Sequence, residues 1–483
     1  MRHAYSVKTV RAAERALMER LPEGALMQRA AAGLAVACCD LLRRNGRVYG
    51  SRVLLLVGSG DNGGDTLYAG ARLARRGAGV RALLTSPDKV HRQAVAALLA
   101  AGGQVLGGPP LGALGPLDLV VDGITGIGGR GGLRPEAAEL VRAVTAGHVP
   151  VLAVDLPSGV EADTGEVLGE AVHADATVTF GTYKPGLLVD PAAGHAGALR
   201  LVDIGLAEEL PDRPDLEALQ YADVAALLPV PDAGSDKYRR GVVGVAAGSE
   251  RYPGAAVLAV AGALRGGAGA VRYAGPGADA VIARFPETLV HPGPPSKAGR
   301  VQAWVAGPGL GDSSASAEAV ADVLAADVPV LVDADGLRLM DAAAVRARTA
   351  ATVLTPHAGE AAALLGVGRE EVEAGRLAAV RELAARYRAT VLLKGSTTLV
   401  AEPGDAPVRV NPTGTSWLAT AGSGDVLSGL TGSLLAAGLA PRDAASVGAY
   451  LHGLAARRAA DGAPVAAHDV ADAVPAAWRD VLA

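Results

Sequence analysis

At 483 residues the chain is too long for one ordinary hydrophobic core and predicts at least two domains. Half of the residues are hydrophobic, only 3% are aromatic and 64 are glycine, which points to Ala/Val/Leu-rich α/β packing with many tight turns. A net charge of −5 gives no electrostatic basis for holding nucleic acid or an anionic membrane.

Residues 1–16 carry Arg2, Lys8, Arg11, Glu14 and Arg15 without an apolar core, so no secretory signal is expected. Cys38 and Cys39 are adjacent, a poor geometry for a disulfide and no metal framework, and read as buried helix packing. No uninterrupted run of 18 apolar residues is expected to cross a membrane; even 254–271 is broken by Arg265. The expectation is a soluble, cytoplasmic protein acting on small molecules, as a homo-oligomer.

The first strong element is the apolar run Val53–Val57, followed by Gly58-Ser59-Gly60-Asp61-Asn62-Gly63-Gly64-Asp65 and a helical pattern to Arg76. Gly58, Gly60 and Gly63 satisfy the dinucleotide fingerprint, so an NAD-dependent oxidoreductase is one reading. Two features oppose it. The next strand, Val80–Leu84, ends at Thr85-Ser86-Pro87 with no acid for a ribose, and Asp61 and Asp65 repel a pyrophosphate. The same acids suit a cation. Asn62 and Asp65 lie on the first loop, Asp122 ends the strand-like Leu117–Val121, and Ser158 follows Val151–Asp155 in Asp155-Leu156-Pro157-Ser158-Gly159. Hard oxygens from several strand ends suit an alkali or alkaline-earth ion; the same residues also serve as ordinary helix caps. No His/Cys spacing points to zinc or iron.

With Asp122-Gly123-Ile124-Thr125-Gly126-Ile127-Gly128 and Thr179-Phe180-Gly181-Thr182-Tyr183-Lys184-Pro185-Gly186, these pieces resemble the NAD(P)H-hydrate epimerase domain over residues 1–210. The resemblance implies a Rossmann-like parallel sheet and interconversion of the R and S forms of hydrated NADH and NADPH. It implies that Asn62, Asp122 and Ser158 hold a potassium ion. It also implies contacts to the hydrated nucleotide from Asp61, Asn62, Gly63, Gly64, Asp65 and Asp155, and from the loop Gly126, Ile127, Gly128, Gly129, Arg130, Gly131 and Gly132, with Asp155 catalytic. The sequence departs from the family at Asp61, where asparagine is usual, and at Thr66 and Tyr68, all on the loop nearest the substrate.

Pro211-Asp212-Arg213-Pro214-Asp215 and Pro229-Val230-Pro231-Asp232-Ala233-Gly234-Ser235 read as linker or surface connection and place the boundary near 215, giving domains 1–215 and 216–483. Beyond it, Val242–Ala246 leads to Ala247-Gly248-Ser249, and Tyr252-Pro253-Gly254-Ala255-Ala256 opens a long helix. Gly307-Pro308-Gly309-Leu310-Gly311 closes Ala303–Ala306, and Asp333-Ala334-Asp335 closes Pro329–Val332. Thr355-Pro356-His357-Ala358-Gly359-Glu360 follows Thr352–Leu354, and Lys394-Gly395-Ser396-Thr397-Thr398 follows Thr390–Leu393. Each cluster lies past the carboxyl end of an expected parallel strand, where open α/β sheets bind ligands. Last comes Ala419-Thr420-Ala421-Gly422-Ser423-Gly424-Asp425 before the apolar run Val426–Leu439. A glycine-rich helix start offers free N–H groups to an anion, and Asp425 beside it is placed to take a proton, a combination suited to phosphoryl transfer to a hydroxyl. The plainer alternative is a turn capping a buried helix.

These elements resemble the ribokinase-like superfamily and, within it, the ADP- or ATP-dependent NAD(P)H-hydrate dehydratases. The resemblance implies that Lys394, Gly395, Ser396, Thr397, Thr398 and Gly424 hold ADP or ATP as phosphoryl donor, with magnesium. It implies that Ala255, Gly309, His357 and Asp425 hold the hydrate, Asp425 being the base. His357 has a structural alternative as a helix cap, and Glu360 either orients magnesium or the loop, or favours the helix dipole. Two three-layer α/β/α domains with parallel sheets are expected, the first Rossmann-like and the second ribokinase-like. Two rival classes are a vitamin-precursor kinase fused to a binding domain, and a first half that serves only as a scaffold.

Overall fold

Short apolar runs become strands here because leucine and β-branched side chains can be buried on both faces only in a sheet covered by helices. The computed structural model describes residues 1–44, 46–107 and 115–483. They form two compact units, His3–Asp215 and Leu216–Ala483, Met1–Arg2 being counted with the second.

After the short strand β1 (Arg2–Ala4), the first unit contains β2 (Arg52–Val57), β3 (Gly79–Leu84), β4 (Gln104–Leu106), β5 (Leu119–Gly123), β6 (Val151–Val154), β7 (Ala176–Phe180) and β8 (Ala198–Val202). They lie in the order β4-β3-β2-β5-β6-β7-β8, and neighbouring strands are parallel throughout. The order reverses between β2 and β5, the place where such sheets leave a crevice. Along β2, Val53, Leu55 and Val57 enter one hydrophobic cluster with the helices Ala25–Arg44 and Asp61–Ala74, while Leu54 and Leu56 enter another with the helix Pro135–Ala146. The alternation follows from the two-residue period of a strand, and it puts helices on both faces.

Two details differ from the sequence expectation. Asp122 lies within β5, level with Leu56 and Ala153, rather than beyond the strand, because Gly123 must still pair with Val57. Asn62 and Asp65 sit in the first turns of the helix Asp61–Ala74 rather than on a loop, since Gly60 already caps it. The helix Ala25–Arg44 also has the length and mean hydropathy (1.4) to cross a bilayer. Its apolarity is spread through alanines broken by Arg29, so no uninterrupted run announced it, and Leu34, Cys38, Cys39 and Leu42 pack into the unit's core.

The second unit contains β9 (Leu216–Ala218), β10 (Val242–Ala246), β11 (Ala270–Ala274), β12 (Leu289–His291), β13 (Ala303–Ala306), β14 (Val330–Val332), β15 (Thr352–Leu354), β16 (Thr390–Leu393), β17 (Thr398–Ala401) and β18 (Val408–Asn411). Their order is β9-β18-β17-β16-β15-β14-β13-β10-β11-β12. Pairing is parallel from β16 to β12, but β16–β17 and β17–β18 are antiparallel. The parallel sheet expected for this unit is thus present from β16 to β12 and is extended by antiparallel pairing beyond β16. Residues 394–397 alone join β16 to β17, too short a link for the crossover that parallel pairing needs, so the chain folds back as a hairpin.

The helices Pro253–Arg265 and Ser423–Ala436 cross almost backbone to backbone. A Cβ on Gly262 would lie 2.1 Å from the Val426 carbonyl oxygen, and one on Gly429 1.9 Å from that of Ala259. Glycine inside a helix costs roughly 0.5–1 kcal/mol relative to alanine, a cost accepted here because no side chain fits the crossing. Gly262→Val should therefore destabilise the second unit by about 1–3 kcal/mol through overpacking. Urea unfolding checks it; an unchanged midpoint would mean that the two helices separate freely.

Candidate active sites

In the first unit the end of β2 and the end of β5 touch. Gly58 N donates to Gly123 O at 3.0 Å, and a Cβ on Gly58 would lie 1.8 Å from Ile124 O, so only glycine allows the approach. Asn62, just inside the following helix, donates through Nδ2 to Thr125 O and to Val154 O, each at 2.9 Å. It thereby ties the segments after β5 and at the end of β6 together. Asp122 is fully buried and accepts from Ser158 Oγ at 2.7 Å, Ser158 N at 2.8 Å and Ile124 N at 3.3 Å. Ser158 Oγ in turn accepts from Thr125 N at 2.9 Å. Asn62, Asp122 and Ser158 thus meet around one peptide segment.

Burial pushes the Asp122 carboxyl up to about 6 even against the hydrogen bonds from Ser158 and Ile124. Among the described residues its hydrogen-bond partners are neutral donors, so no cationic side chain among them balances its charge. Carboxylate, hydroxyl and carbonyl oxygens suit a hard monovalent ion, and no group of three or more His, Cys, Asp or Glu side chains placed to hold a metal occurs among the described residues.

Beside this network, Asp155 leaves β6 with a left-handed φ of +65°, a conformation that strains a residue carrying a side chain. Its Oδ1 accepts from Lys184 Nζ at 2.5 Å, Thr179 Oγ1 at 3.1 Å and Phe180 N at 3.3 Å. Asp65 is buried, and its Oδ1 has no hydrogen-bond partner among the described residues. Burial first, then the charges of Asp155, Asp61 and Glu14, hold the Asp65 carboxyl well above the usual carboxylate range. Glu14 is raised too, chiefly by burial, with Asp155 and Asp61 adding and Lys184 and Arg11 opposing. The loop 126–132 reaches the same place. A Cβ on Gly126 would lie 3.1 Å from Asn62 Cγ, and one on Gly128 3.1 Å from Arg11 Nη2. Farther along, Gly131 N donates to Glu161 Oε1 at 2.7 Å, while Arg130 is exposed. Lys184, Glu14 and Arg11 were not singled out from sequence. Lys184 stood in the quoted Thr179–Gly186 stretch, but its partner lies 29 residues earlier, a pairing only the fold makes.

In the second unit, Gly422 precedes the helix Ser423–Ala436 with φ +86°, and a Cβ there would meet Leu258 Cδ1 at 2.3 Å and Asp425 Oδ2 at 3.7 Å. A Cβ on Gly424 would lie 3.4 Å from Lys394 Nζ and 3.8 Å from Asp333 Oδ2. The open first turn of the helix therefore sits against an ion pair: Lys394 Nζ is 2.7 Å from Asp333 Oδ1 and 3.7 Å from Glu360 Oε2. Ser428 Oγ donates to Asp333 Oδ2 at 2.6 Å from one turn farther along. Burial and the neighbouring charge of Asp333, opposed by Lys394 and assisted by Asp335 and Glu360, push Asp425 up to about 7. Burial pulls the Lys394 ammonium down, but Asp333, Glu360 and Asp425 outweigh it and hold it above its usual value.

His357 caps the helix Ala358–Leu365. Its Nδ1 accepts from Gly359 N at 3.0 Å and Glu360 N at 3.1 Å, and Glu360 Oε2 accepts from His357 N at 2.8 Å. The geometry therefore gives both residues a capping role, and with Nδ1 accepting, the neutral ring carries its proton on Nε2. The ring is exposed, and its Nε2 lies 3.5 Å from Glu360 Oε1. Ala255 and Gly309 are brought into contact: a Cβ on Gly309, where φ is +62°, would lie 2.5 Å from Ala255 Cβ.

The Lys394–Thr398 turn is held from behind by buried Arg376, whose Nη2 donates to Leu393 O, Lys394 O and Thr397 O at 3.3, 3.1 and 3.0 Å. Gly395 and Ser396 are exposed, whereas Thr397 and Thr398 are buried as the chain enters β17. Arg376, Asp333 and Ser428 complete this arrangement without having been chosen as site residues from sequence, although the Asp333-Ala334-Asp335 cluster had been noted at its strand end.

The family model described as NAD(P)H-hydrate dehydratase matches residues 243–476, and that described as YjeF-related protein N-terminus matches residues 23–186. The chain is 51% identical over 468 residues to a bifunctional NAD(P)H-hydrate repair enzyme of Mycobacterium leprae, covering 96% of each. It is 38% identical over 578 residues to a protein of the same name from Corynebacterium glutamicum, covering 100% of this chain and 99% of that one. Among solved structures, the ADP/ATP-dependent NAD(P)H-hydrate dehydratase of Bacillus subtilis, co-crystallised with ATP and magnesium, is similar with a TM-score of 0.50 and 31% identity, covering 54% of this chain and 97% of that one.

The Arg376 clamp yields a test independent of any ligand. Arg376→Met strips a donor from three carbonyls and should cost about 1–3 kcal/mol. Amides of residues 394–398 should exchange faster with deuterium. Wild-type exchange in that segment would show that the turn holds itself.

Proposed function

The chain belongs to the family of bifunctional NAD(P)H-hydrate repair enzymes, and from that membership we propose a division of labour between its two units. Residues 1–215 interconvert the R and S hydrates of NADH and NADPH. Residues 216–483 dehydrate the S hydrate to NAD(P)H at the expense of ADP or ATP, in the cytoplasm and as a homo-oligomer. The observation that carries the second assignment is Asp425: a carboxyl pushed up to about 7, on the first turn of a glycine-rich helix start and beside the Lys394–Asp333 pair.

Hydroxide leaves a carbon poorly, whereas a phosphate ester departs with a push from the ring nitrogen's lone pair. Asp425 takes the proton of the C6 hydroxyl as that oxygen attacks the terminal phosphoryl group. The N–H groups at 422–424 hold the charge spreading over the transferred oxygens. Lys394, Gly395, Ser396, Thr397, Thr398 and Gly424 line the nucleotide's place, Lys394 meeting phosphate charge. Ala255, Gly309 and His357 line that of the hydrate, with His357 offering Nε2–H while its Nδ1 stays in the helix cap. Magnesium is a poor match for a protein-built site here, because the Lys394 ammonium already stands beside Asp333 and Glu360 and repels a second cation. Carried on the phosphates of the nucleotide, it would offset their negative charge.

In the first unit, Asp61–Asp65, the loop 126–132 and Asp155 form the hydrate's place. Potassium fits Asn62, Asp122 and Ser158, where it would balance the buried Asp122 and offset the substrate's phosphate charge against Asp61 and Asp65. The kinase alternative has less support, because relatives named for repair match the chain across both halves.

Mixed R and S hydrate supplied with ADP or ATP should return fully to dihydronicotinamide, read by its absorbance; a stable phosphate ester in its place would favour the kinase. Asp425→Asn should lower dehydration about 10²–10⁴-fold while the fold persists. In the unmodified chain the rate should climb as pH rises through about 7, where Asp425 loses its proton, and level off above. Near wild-type turnover by the variant would sink the assignment of the base.

Separated residues 216–483 should consume only the S hydrate and stall on the R form, whereas the full chain runs the mixture to completion. Equal consumption of both forms by the isolated piece, after subtraction of spontaneous epimerisation in a blank, would refute the division.

A further inference from the structure

We propose that Lys184 is the positioning residue of the first unit's reaction, fixing Asp155 so that its Oδ2 receives the proton of the hydrate's C6 hydroxyl. This rests on the epimerase reading above and adds to it a residue and the atom through which that residue acts.

Lys184 is 1% exposed, and an ammonium so buried persists only when fully partnered. Its Nζ meets Asp155 Oδ1 at 2.5 Å, Thr179 Oγ1 at 3.0 Å and Phe180 O at 3.0 Å. An ammonium has three protons and all are used, so Lys184 has none left for a ligand and acts through Asp155. The donors reaching Asp155 converge on Oδ1: Lys184 Nζ, Thr179 Oγ1 and Phe180 N. Among the described residues, Oδ2 receives no hydrogen bond. The left-handed backbone at Asp155 is strain of the kind that persists where the surrounding structure demands one side-chain direction.

A carboxylate gripped at one oxygen and open at the other is a directed proton acceptor. The C6 hydroxyl gives its proton to Oδ2 as its oxygen becomes a C6 carbonyl and the C6–N1 bonding pair moves onto N1. The same proton passes to N1. Reclosure by the reverse steps on the other face gives the other epimer, with no oxidant, reductant or added water. The charged groups around Asp155 are Lys184 after β7, Asp61 and Asp65 on the helix Asp61–Ala74, and Glu14 and Arg11 on the helix Val7–Met18.

The test is Lys184→Met in the full chain, which keeps an unbranched stem one atom shorter and removes the charge. Epimerisation, followed as loss of the R hydrate above the spontaneous rate, should fall about 10²-fold in kcat with KM little changed. The acidic limb of its pH profile should move to higher pH, because the carboxylate has lost its cationic neighbour. Dehydration of the S hydrate by the same preparation should stay at the wild-type rate. A lysine that merely stabilised the fold would lower the amount of active protein and scale the profile down with its limb in place. That result, or wild-type kcat, overturns the proposal. Where Lys184→Met does not fold, Thr179→Val removes the hydroxyl shared by Lys184 and Asp155 and should cost about tenfold in kcat, again with a displaced limb; an undisturbed rate overturns the proposal equally. A wild-type chain that leaves the R hydrate untouched would strike down the epimerase assignment itself, not the role of Lys184 within it.

Discussion

A lysine gripping an aspartate just past the carboxyl end of a central strand organises each unit: Lys184 on Asp155 after β6, and Lys394 on Asp333 after β14. Burying a lysine–aspartate pair gains little stability, because the desolvation of two charges is repaid only by near-ideal geometry and further hydrogen bonds. Its effect is on position. In the first unit the pair draws the turn after β7 against the left-handed exit of β6. In the second it draws the β16–β17 turn against the exit of β14, and Ser428 ties the helix Ser423–Ala436 to the same Asp333. Removing either lysine would leave a buried carboxylate without a counterion, so the same contact that shapes each crevice also makes it intolerant of change.

Glycine supplies the other half of the geometry. The approach of Gly58 to Ile124, of Gly262 to Val426 and of Gly429 to Ala259 places backbone where any other residue would place a side chain. The first lies where the order of its sheet reverses between β2 and β5, and the other two let a pair of helices cross closely on the second sheet. The high glycine content is therefore partly a requirement of close backbone packing, beyond the tight turns it first suggested.

What was legible in the sequence follows from the range of the forces involved. Short apolar runs announced the central strands, often to the residue, as at Val242–Ala246, Ala303–Ala306, Thr352–Leu354 and Thr390–Leu393, because burial on both faces leaves little choice of composition. Strand direction was less legible: β17, which runs antiparallel to β16, is nearly as apolar as that neighbour, and only the shortness of the 394–397 link sets it apart. The site clusters stood out as polar or glycine-rich stretches at strand ends. Their partners did not, because Arg376, Ser428, Glu14 and Lys184 meet them only through tertiary contacts, with no local spacing to mark the pairing.

Asp122 and Asp425 illustrate why neither a motif nor a shifted carboxyl is enough to assign chemistry. Burial raises both, to about 6 and about 7. Asp122 is enclosed by neutral donors, and the cation proposed beside it would hold it ionised. Asp425 stands among Asp333, Asp335 and Glu360 with Lys394 opposing them, so its charge is contested by like charges beside an open helix start. A nucleotide entering that place would bring still more negative charge and raise the carboxyl further, unless its phosphates also drew Lys394 away from Asp333 or arrived with magnesium. Under the proposed role of Asp425 as base, electrostatics would require the donor's charge to be neutralised first, which would tie proton removal to correct seating of the phosphoryl group.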